Sequence, residues 1–305
     1  MAESLGSVTP EPLVSIIMNC FNGEKYLKTA IESVLNQTYQ NWELIFWDNQ
    51  SVDNSADIFK EYNEPRFKYF YAHKHTWLGE ARKYAIEKSK GDFIAFLDVD
   101  DYWFPSKLKK QIFLFSNMDV GIVCGNYFLK NERNQKTHLA LKKNLPTGWI
   151  LDQLLQVYFV GLLTLMVRRS ALDSLEYGWD PKYHVMGDLD LVIRLSVNWK
   201  LHAVQEPIAV CRKHGANELV KHRSRHVNEL EIWIKEMSHV NEIPSSPNFH
   251  CIINNYTYQK AIDQVLQLHK VEAFRMSLDL PLGLMRMRLW LVILTPMFLI
   301  KKLKI

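Results

Sequence analysis

The first hundred residues alternate between short apolar runs and segments whose apolar side chains recur at helical spacing. The apolar runs lie at residues 14–18, 44–47, 67–72 and 93–97, and the helical segments at about 24–36, 53–61 and 78–90. This alternation predicts an α/β fold with a mostly parallel sheet, because each helix returns the chain to the start of the next strand. Ligands bind beyond the carboxyl ends of such strands, where Asn22, Asp48 and residues 98–101 would gather.

The pattern changes along the rest of the chain. Further strands are predicted at 120–128, 163–168 and 208–212, helices at about 105–117 and 188–198, and a hairpin tip or mobile loop at 131–136. From about residue 218 the sequence predicts helices rich in Lys, His and Glu, interrupted at Pro244 and Pro247. Residues 1–12 are small and polar, and we expect a flexible N-terminus.

Three carboxylates, Asp98, Asp100 and Asp101, follow directly after the fourth apolar run. Adjacent negative charges repel one another, so the group costs free energy unless a cation lies beside it. Mn²⁺ or Mg²⁺ is the natural partner, because hard divalent ions take oxygen ligands and can bridge to phosphate oxygens. A solvated acidic turn that caps the helix after Pro105 is the alternative for the same residues.

Charge is unevenly distributed along the chain. The net charge is +4, but residues 281–305 hold five basic residues and no acidic one, which leaves a net charge of −1 on the remainder. A nucleic-acid-binding protein would carry basic residues across a broad face, so this function is not expected. The apolar run at 289–300 is too short to span a bilayer, and we predict that the basic tail, residues 284–305, contacts the membrane surface. A helix packed on the protein core is the alternative.

The cysteines and the N-terminus predict the compartment. The four cysteines form no CxxC pair, so neither a disulfide framework nor a zinc site is expected. The first twelve residues have no apolar segment of the kind found in secretory signals. We therefore expect a cytoplasmic protein, peripheral at the inner face of the cell membrane.

Seven short motifs, in order along the first 115 residues, resemble the family 2 inverting glycosyltransferases. They are VSII (14–17), NG (22–23), AIESVLNQT (30–38), DNQSVDNS (48–55), AR (81–82), GDFIAFLD (91–98) and DD (100–101), and the similarity resumes at 187–194 and 212–215. The resemblance implies the GT-A fold, with a Rossmann-like nucleotide-binding half (13–117) fused to an acceptor-binding half (118–217), followed by a helical region (218–305). It also implies a nucleotide diphosphate sugar as donor, a UDP-sugar first among them, and a glycan or lipid-linked hydroxyl as acceptor in cell-surface polysaccharide synthesis.

The family resemblance also assigns roles to individual residues. The residues that it places at the nucleotide are Asn22, Asp48, Asn49, Ser51, Arg82 and Asp98, and those that it places at Mn²⁺ or Mg²⁺ are Asp98, Asp100, Asp101 and His214. The metal would neutralise the diphosphate leaving group. Many members carry an aspartate where this chain has Asn49, whose amide both donates and accepts, so the donor base stays open. Asp48 could also cap the following helix, Arg82 could instead pair with Glu80 or Asp92, and His214 could be an exposed loop residue.

An inverting transfer needs a general base for the acceptor hydroxyl. The segment 187–194 resembles the Glu-Asp stretch of the family, with Gly187 in place of the glutamate, and this assigns Asp188 as the base. Asp190 is the alternative, since Asp188 could serve as a helix N-cap.

Two other functions compete with sugar transfer. A sugar nucleotidyltransferase shares the sheet topology but needs a glycine-rich basic loop after the first strand, and residues 19–23 do not form one. A binding protein that has lost turnover is the other, and it is suggested by Asn49 and Gly187.

Overall fold

A computed structural model of the chain describes residues 11–214, 222–240 and 242–296. These residues form two compact units, one of residues 11–150 and 159–214 and the other of residues 151–158, 222–240 and 242–296. The predicted acceptor half ran unbroken through 118–217, whereas the structure assigns residues 151–158 to the second unit. Residues 1–10 of the expected flexible N-terminus and residues 297–305 of the basic tail lie outside the described residues.

The first unit is built on a nine-stranded sheet. Its strands are β1 (Val14–Cys20), β2 (Trp42–Asp48), β3 (Phe67–Tyr71), β4 (Phe93–Phe96), β5 (Tyr102–Trp103), β6 (Val120–Asn131), β7 (Thr137–Leu139), β8 (Met166–Arg168) and β9 (Lys200–Lys213). The helices of the described chain are α1 (Glu24–Leu35), α2 (Ser55–Lys60), α3 (Leu78–Glu87), α4 (Lys107–Leu114), α5 (Leu151–Gln156), α6 (Arg169–Asp173), α7 (Gly187–Ser196), α8 (Arg223–Met237), α9 (Phe249–Leu266), α10 (Lys270–Leu278) and α11 (Leu284–Leu294).

The strand order is β3-β2-β1-β4-β8-β6-β9-β5, with β7 paired to β6. Strands β3, β2, β1 and β4 are parallel, as predicted from the strand and helix alternation. Strand β8 then runs antiparallel to both β4 and β6, and β5 runs antiparallel to β9. The sheet is therefore parallel from β3 to β4 and mixed beyond β4.

Strands β1 and β2 are buried along their whole length, which explains why they are almost continuously apolar. One face of β2, including Leu44 and Phe46, shares a hydrophobic core with α1. On the opposite face Glu43 accepts a hydrogen bond from the Ser15 hydroxyl, 2.6 Å between oxygens. This packing fixes the carboxyl ends of β1, β2 and β4, from which the candidate site residues extend.

Two predicted strands differ from the observed ones. The strand predicted at 163–168 is extended only over Met166–Arg168, after a 3₁₀ turn at Leu162–Thr164. The Trp103 indole donates to the Leu163 carbonyl and the Gln111 amide to the Thr164 carbonyl, so side chains use carbonyls that a neighbouring strand would otherwise use. The strand predicted at 208–212 is longer, Lys200–Lys213, and Pro207 fits within it because it lies at a register irregularity opposite Asn126.

The second unit is helical and has its own core. The buried residues of this core are Ala261, Ile262, Val265, Ala273, Leu280, Leu289 and Ile293. Helix α11 contributes Leu289 and Ile293 to the core and leaves most of its other apolar residues exposed. Within the described residues, no helix combines the length and the apolar character needed to cross a membrane.

Candidate active site

Asp98 lies just beyond β4, at the carboxyl edge of the parallel strands. Its Oδ1 atom accepts a hydrogen bond from Arg82 of α3, 2.6 Å from Nη2. The Arg82 side chain is 8% exposed and the Asp98 side chain 37% exposed, so the pair joins a buried guanidinium to a carboxylate open to solvent. The structure thus joins two residues that were predicted at the nucleotide. Arg82 pairs with Asp98 here rather than with Glu80 or Asp92, the alternative partners.

Asp100 pairs with a residue from the far end of the first unit. Its Oδ2 atom lies 2.9 Å from Nε2 of His214, and the His214 ring stacks on Tyr26 at 5.3 Å between centroids. Burial and the neighbouring Asp98 raise the pKa of the Asp100 carboxyl, and His214 opposes this rise. Two residues predicted to bind the metal are therefore in direct contact, although 114 positions separate them in sequence.

Asp101 has a different environment from the other two carboxylates. It is 6% exposed, and its Oδ1 atom accepts a hydrogen bond from the backbone N–H of Arg212, at 2.8 Å. The Arg212 guanidinium donates in turn to the backbone carbonyl of Asp100. Burial, with Asp100 and Asp98 nearby, raises the pKa of Asp101 well above its usual range. In this structure Asp101 attaches the loop of residues 98–101, the acidic loop, to β9. Its assignment to the metal stays a prediction.

Asp48, at the end of β2, is fully buried. Its Oδ1 atom accepts from the backbone N–H of Ser51 at 2.7 Å, and its Oδ2 atom accepts from the Tyr69 hydroxyl at 2.7 Å. Both oxygens are therefore used to hold the loop after β2. Asp48 does not cap α2, whose N-cap residue is Asn54. Its predicted place beside the nucleotide base stays a prediction.

Asn49 has a similar structural role. Its amide donates to the Thr76 carbonyl at 2.8 Å and accepts from the Thr76 N–H at 3.2 Å, in a buried pair. The backbone carbonyl of Asn49 lies 2.9 Å from Nδ1 of His75, and the His75 ring packs on Phe21 at 4.3 Å between centroids. The Asn49 amide thus joins two loops in this structure, and its predicted role at the nucleotide stays a prediction.

Asn22 and Ser51 connect the loop after β1 to the loop after β2. The Ser51 hydroxyl accepts from the N–H of Asn22 at 3.0 Å, and the Asn22 side chain accepts from the N–H of Val52 at 2.9 Å. Asn22 has a φ of 53°, in the left-handed region that costs free energy for residues other than glycine. These two bonds hold the strained loop in place and leave Phe21 half exposed beside it.

Asp188 and Asp190 differ in accessibility. Asp190 is 1% exposed, and both of its oxygens accept from the Arg194 guanidinium one turn further along α7, at 2.9 and 3.0 Å from Nε. Asp188, in the first turn of the same helix, is partly accessible. Of the two, Asp188 is the carboxylate that a second substrate could approach.

Trp179 connects Asp188 to the acidic loop, and no sequence pattern pointed to it. The Arg82 guanidinium lies 5.5 Å from the Trp179 ring centroid, and the edge of the same ring packs on Gly187, next to Asp188. Contacts therefore run from Asp98 through Arg82 and Trp179 to the start of α7. One buried indole therefore lies between Arg82, which pairs with Asp98, and Gly187, the neighbour of Asp188.

A family model described as Glycosyl transferase family 2 matches residues 15–175, more than half of the chain. The chain belongs to this family. The E. coli enzyme WfgD, named a UDP-Glc:alpha-D-GlcNAc-diphosphoundecaprenol beta-1,3-glucosyltransferase, is 34% identical over 165 residues, which are 54% of this chain. The match spans 64% of WfgD, just under two thirds of that relative.

Two solved glycosyltransferases share the fold. S. aureus TarS in complex with UDP-GlcNAc superposes with a TM-score of 0.65 at 15% identity, over 88% of this chain and 81% of that one. The mannosyltransferase PcManGT from Pyrobaculum calidifontis, in complex with GDP-Man and Mn²⁺, gives a TM-score of 0.59 at 13% identity, over 92% and 79%. The predicted GT-A fold is confirmed.

Gly187 stands where the family resemblance led us to expect a glutamate, and the structure gives a reason for the glycine. A Cβ atom at Gly187 would lie 2.6 Å from Cζ2 of Trp179, closer than van der Waals contact allows. The glycine therefore lets the indole pack against the N-terminus of α7.

We expect Gly187→Ala to destabilise the first unit by about 1–3 kcal/mol, the usual cost of overpacking a core. Thermal unfolding measures this as a fall in Tm. Gly283→Ala is the matched control, because nothing lies within 4 Å of the Cβ it would add and its backbone is extended. An unchanged Tm in Gly187→Ala would show that Trp179 does not pack as described.

Asp100 and His214 fit the ligand chemistry of a divalent ion in this family 2 site. Among the described residues, no three His, Cys, Asp or Glu side chains converge closely enough to hold an ion by themselves. Mg²⁺, however, is usually bound by one or two carboxylates together with substrate phosphates, and Mn²⁺ also accepts imidazole nitrogen. An open pair such as Asp100 and His214, with Asp98 nearby, suits an ion that arrives with a diphosphate.

Proposed function

We propose that this protein is an inverting glycosyltransferase that moves a sugar from a nucleotide diphosphate sugar to a hydroxyl of a glycan or lipid-linked acceptor, in cell-surface polysaccharide synthesis. The observation that carries the proposal is the contact series from Asp98 through Arg82 and Trp179 to Gly187. It brings a partly accessible carboxylate, Asp188, to the same region as the acidic loop. An inverting transfer needs these two sets of groups on opposite sides of the reacting sugar.

The proposed donor is a UDP-sugar. WfgD is named for UDP-Glc, and TarS is solved with UDP-GlcNAc. PcManGT, with a similar fold, is solved with GDP-Man, so the fold accommodates more than one base. Because Asp48 and Asn49 are engaged in the loops, we place the base against the exposed ring of Phe21, beside His75.

Asp188 is the proposed general base. It would take the proton of the acceptor hydroxyl as the oxygen attacks the anomeric carbon from the face opposite the diphosphate. Asp190 is held by Arg194 and would position α7 instead. Arg82 would keep Asp98 oriented toward the donor.

Asp100 and His214 are the proposed protein ligands of Mn²⁺ or Mg²⁺, with Asp98 beside them. The ion, when bound, would neutralise the charge that develops on the diphosphate leaving group. Asp101 would keep this loop in place through its bond to the Arg212 N–H.

A panel of nucleotide sugars, with and without Mn²⁺, tests the function. We expect one UDP-sugar to raise the unfolding temperature in the presence of Mn²⁺, with stabilisation of about 2.7 kcal/mol at a hundred times Kd, and to be hydrolysed slowly when no acceptor is present. Release of UDP measures the hydrolysis. Binding without hydrolysis or transfer of any donor would identify a non-catalytic homologue and contradict the proposal.

We also propose that the second unit binds an anionic membrane surface through α10 and α11. Apolar residues recur at helical spacing on the exposed face of each helix: Val271, Phe274 and Leu278 on α10, and Leu284, Met287, Leu291 and Leu294 on α11. Arg275 and Arg288 are exposed on the same two helices. An amphipathic helix of this kind lies in the interface, and its basic residues reach anionic head groups.

We expect Leu284→Asp/Leu291→Asp to reduce binding to phosphatidylglycerol-containing vesicles at least tenfold. Each exposed leucine contributes about 1.5–3 kcal/mol when it is buried in an apolar phase, and 1.4 kcal/mol corresponds to a tenfold change in affinity. Vesicle sedimentation measures the effect. Phe113→Asp is the control, because Phe113 is an exposed apolar residue of the first unit. Equal binding by the double variant and the native protein would rule out this face.

A further inference from the structure

A cavity of about 620 Å³ lies at the β3 edge of the sheet, and none of the residues proposed above for donor or acceptor chemistry lines it. Its wall contains three aromatic side chains in mutual contact: Trp47 lies 6.5 Å from Phe70 and 5.5 Å from Tyr84 between ring centroids. Trp47 follows Phe46 in β2, so its side chain is on the sheet face opposite Asp48. The cavity is therefore separate from the site at the carboxyl ends of β1 and β4.

The polar groups of the cavity are few. Trp47 is 8% exposed, and among the described residues its indole N–H has no hydrogen-bond partner. The indole nitrogen is itself shielded from solvent, so Trp47 contributes apolar ring surface to the wall rather than a hydrogen-bond donor. Lys74 and Lys88 supply two positive charges at exposed positions of the lining, and Glu87 supplies one negative charge.

These features restrict the class of ligand. A cavity of this size holds a ligand of a few hundred daltons, and aromatic walls with a few polar groups suit a pyranose ring, whose C–H face packs on aromatic rings while its hydroxyls accept and donate hydrogen bonds. Tyr84, Glu87 and Lys88 come from the C-terminal end of α3, which carries partial negative charge and disfavours a multiply charged phosphate. The two lysines and one glutamate give the lining a net positive charge, which a ligand with a single negative charge would neutralise.

We propose that this cavity is a second carbohydrate site, which binds a pyranose ring carrying one carboxylate. In this arrangement the ring packs on Phe70 and Tyr84, and the carboxylate pairs with Lys88 and Lys74. The inference rests on the proposed function in one respect: the sugar would belong to the acidic glycan that the enzyme extends. Binding here would hold the glycan away from the reacting hydroxyl.

A glucuronate-containing tetrasaccharide, with a neutral tetrasaccharide of the same length beside it, tests the proposal on the full chain. Calorimetry is expected to show binding of the acidic tetrasaccharide that UDP with Mn²⁺ does not displace. Saturation-transfer NMR is expected to show transfer from aromatic protons to its ring protons. Lys74→Ala and Lys88→Ala should each weaken this binding at least tenfold without changing the affinity for UDP. Both substitutions are at exposed positions, and Lys28→Ala, another exposed lysine of the first unit, is the control.

Several results would overturn the site. They are absence of binding to the native protein, native-like binding by both variants, displacement by UDP, or equal affinity for the neutral tetrasaccharide. Nucleotide sugar hydrolysis is measured on the same samples, so the two proposals are separable. Acidic-sugar binding without any hydrolysis would uphold this site and contradict the proposed function, whereas hydrolysis without acidic-sugar binding would do the reverse.

Discussion

Asp188→Asn is expected to lower the rate of sugar transfer about 10²–10⁴-fold and to leave the affinity for the donor nucleotide unchanged. Removal of a general base has an effect of this size, because the acceptor hydroxyl then attacks without losing its proton to the protein. The amide has nearly the same shape as the carboxylate, so α7 should keep its position. UDP release from the donor that the panel identifies gives the rate, and calorimetry with UDP gives the affinity.

Asp190→Asn is the matched comparison, two residues away on the same helix. Asp190 is buried and paired with Arg194, and removal of one partner of such a pair typically costs about 3–5 kcal/mol of stability. We therefore expect its main effect in thermal unfolding, where Asp188→Asn has little. If Asp188→Asn turns over at a rate near that of the native protein, the base is elsewhere, and the proposed role of the start of α7 is wrong.

Asp100→Ala is expected to weaken UDP binding in the presence of Mn²⁺ by about 100-fold or more. A metal ion contributes several kcal/mol to the stabilisation of a diphosphate, and each 1.4 kcal/mol is a factor of ten in Kd. Without Mn²⁺ the variant should bind UDP no more weakly than the native protein, because the Asp100 carboxylate then repels the phosphates instead of binding them through the ion. Titration of UDP by calorimetry, with Mn²⁺ and with chelator, measures all four affinities.

Asp57→Ala controls for the loss of one negative charge from the first unit, because Asp57 is exposed on α2. His214→Ala should weaken the Mn²⁺-dependent part of the affinity as well, since His214 contacts Asp100 directly. If the UDP affinity of Asp100→Ala depends on Mn²⁺ as that of the native protein does, the acidic loop does not take part in donor binding.

The sequence predicted the sheet edge well, because alternation of strands with helices makes the strands parallel and brings their carboxyl ends to one edge. Asp98 and Asp100 could be placed at that edge from a strand end alone. Asp48 shows where this reasoning stops: its position was predicted correctly, but its environment depends on Tyr69 from a neighbouring strand, and only the structure reveals that both carboxylate oxygens are occupied.

Other features depended on contacts between distant segments. Nothing local to Asp101 distinguishes it from Asp100, and its burial is set by Arg212, 111 positions later. Gly187 was interpreted as a lost glutamate, whereas its meaning depends on Trp179, which packs on it. These pairings could not be predicted from a single sequence, because they depend on the order in which strands β4, β8, β6 and β9 lie side by side.

The attachment of Asp101 to Arg212 also bears on how such enzymes can diversify. Suppose that two relatives exchanged segments at residue 117. The acidic loop would then be combined with β9 from another protein. The buried carboxylate would then depend on a foreign backbone for its N–H donor. We infer that the acidic loop and β9 are inherited together.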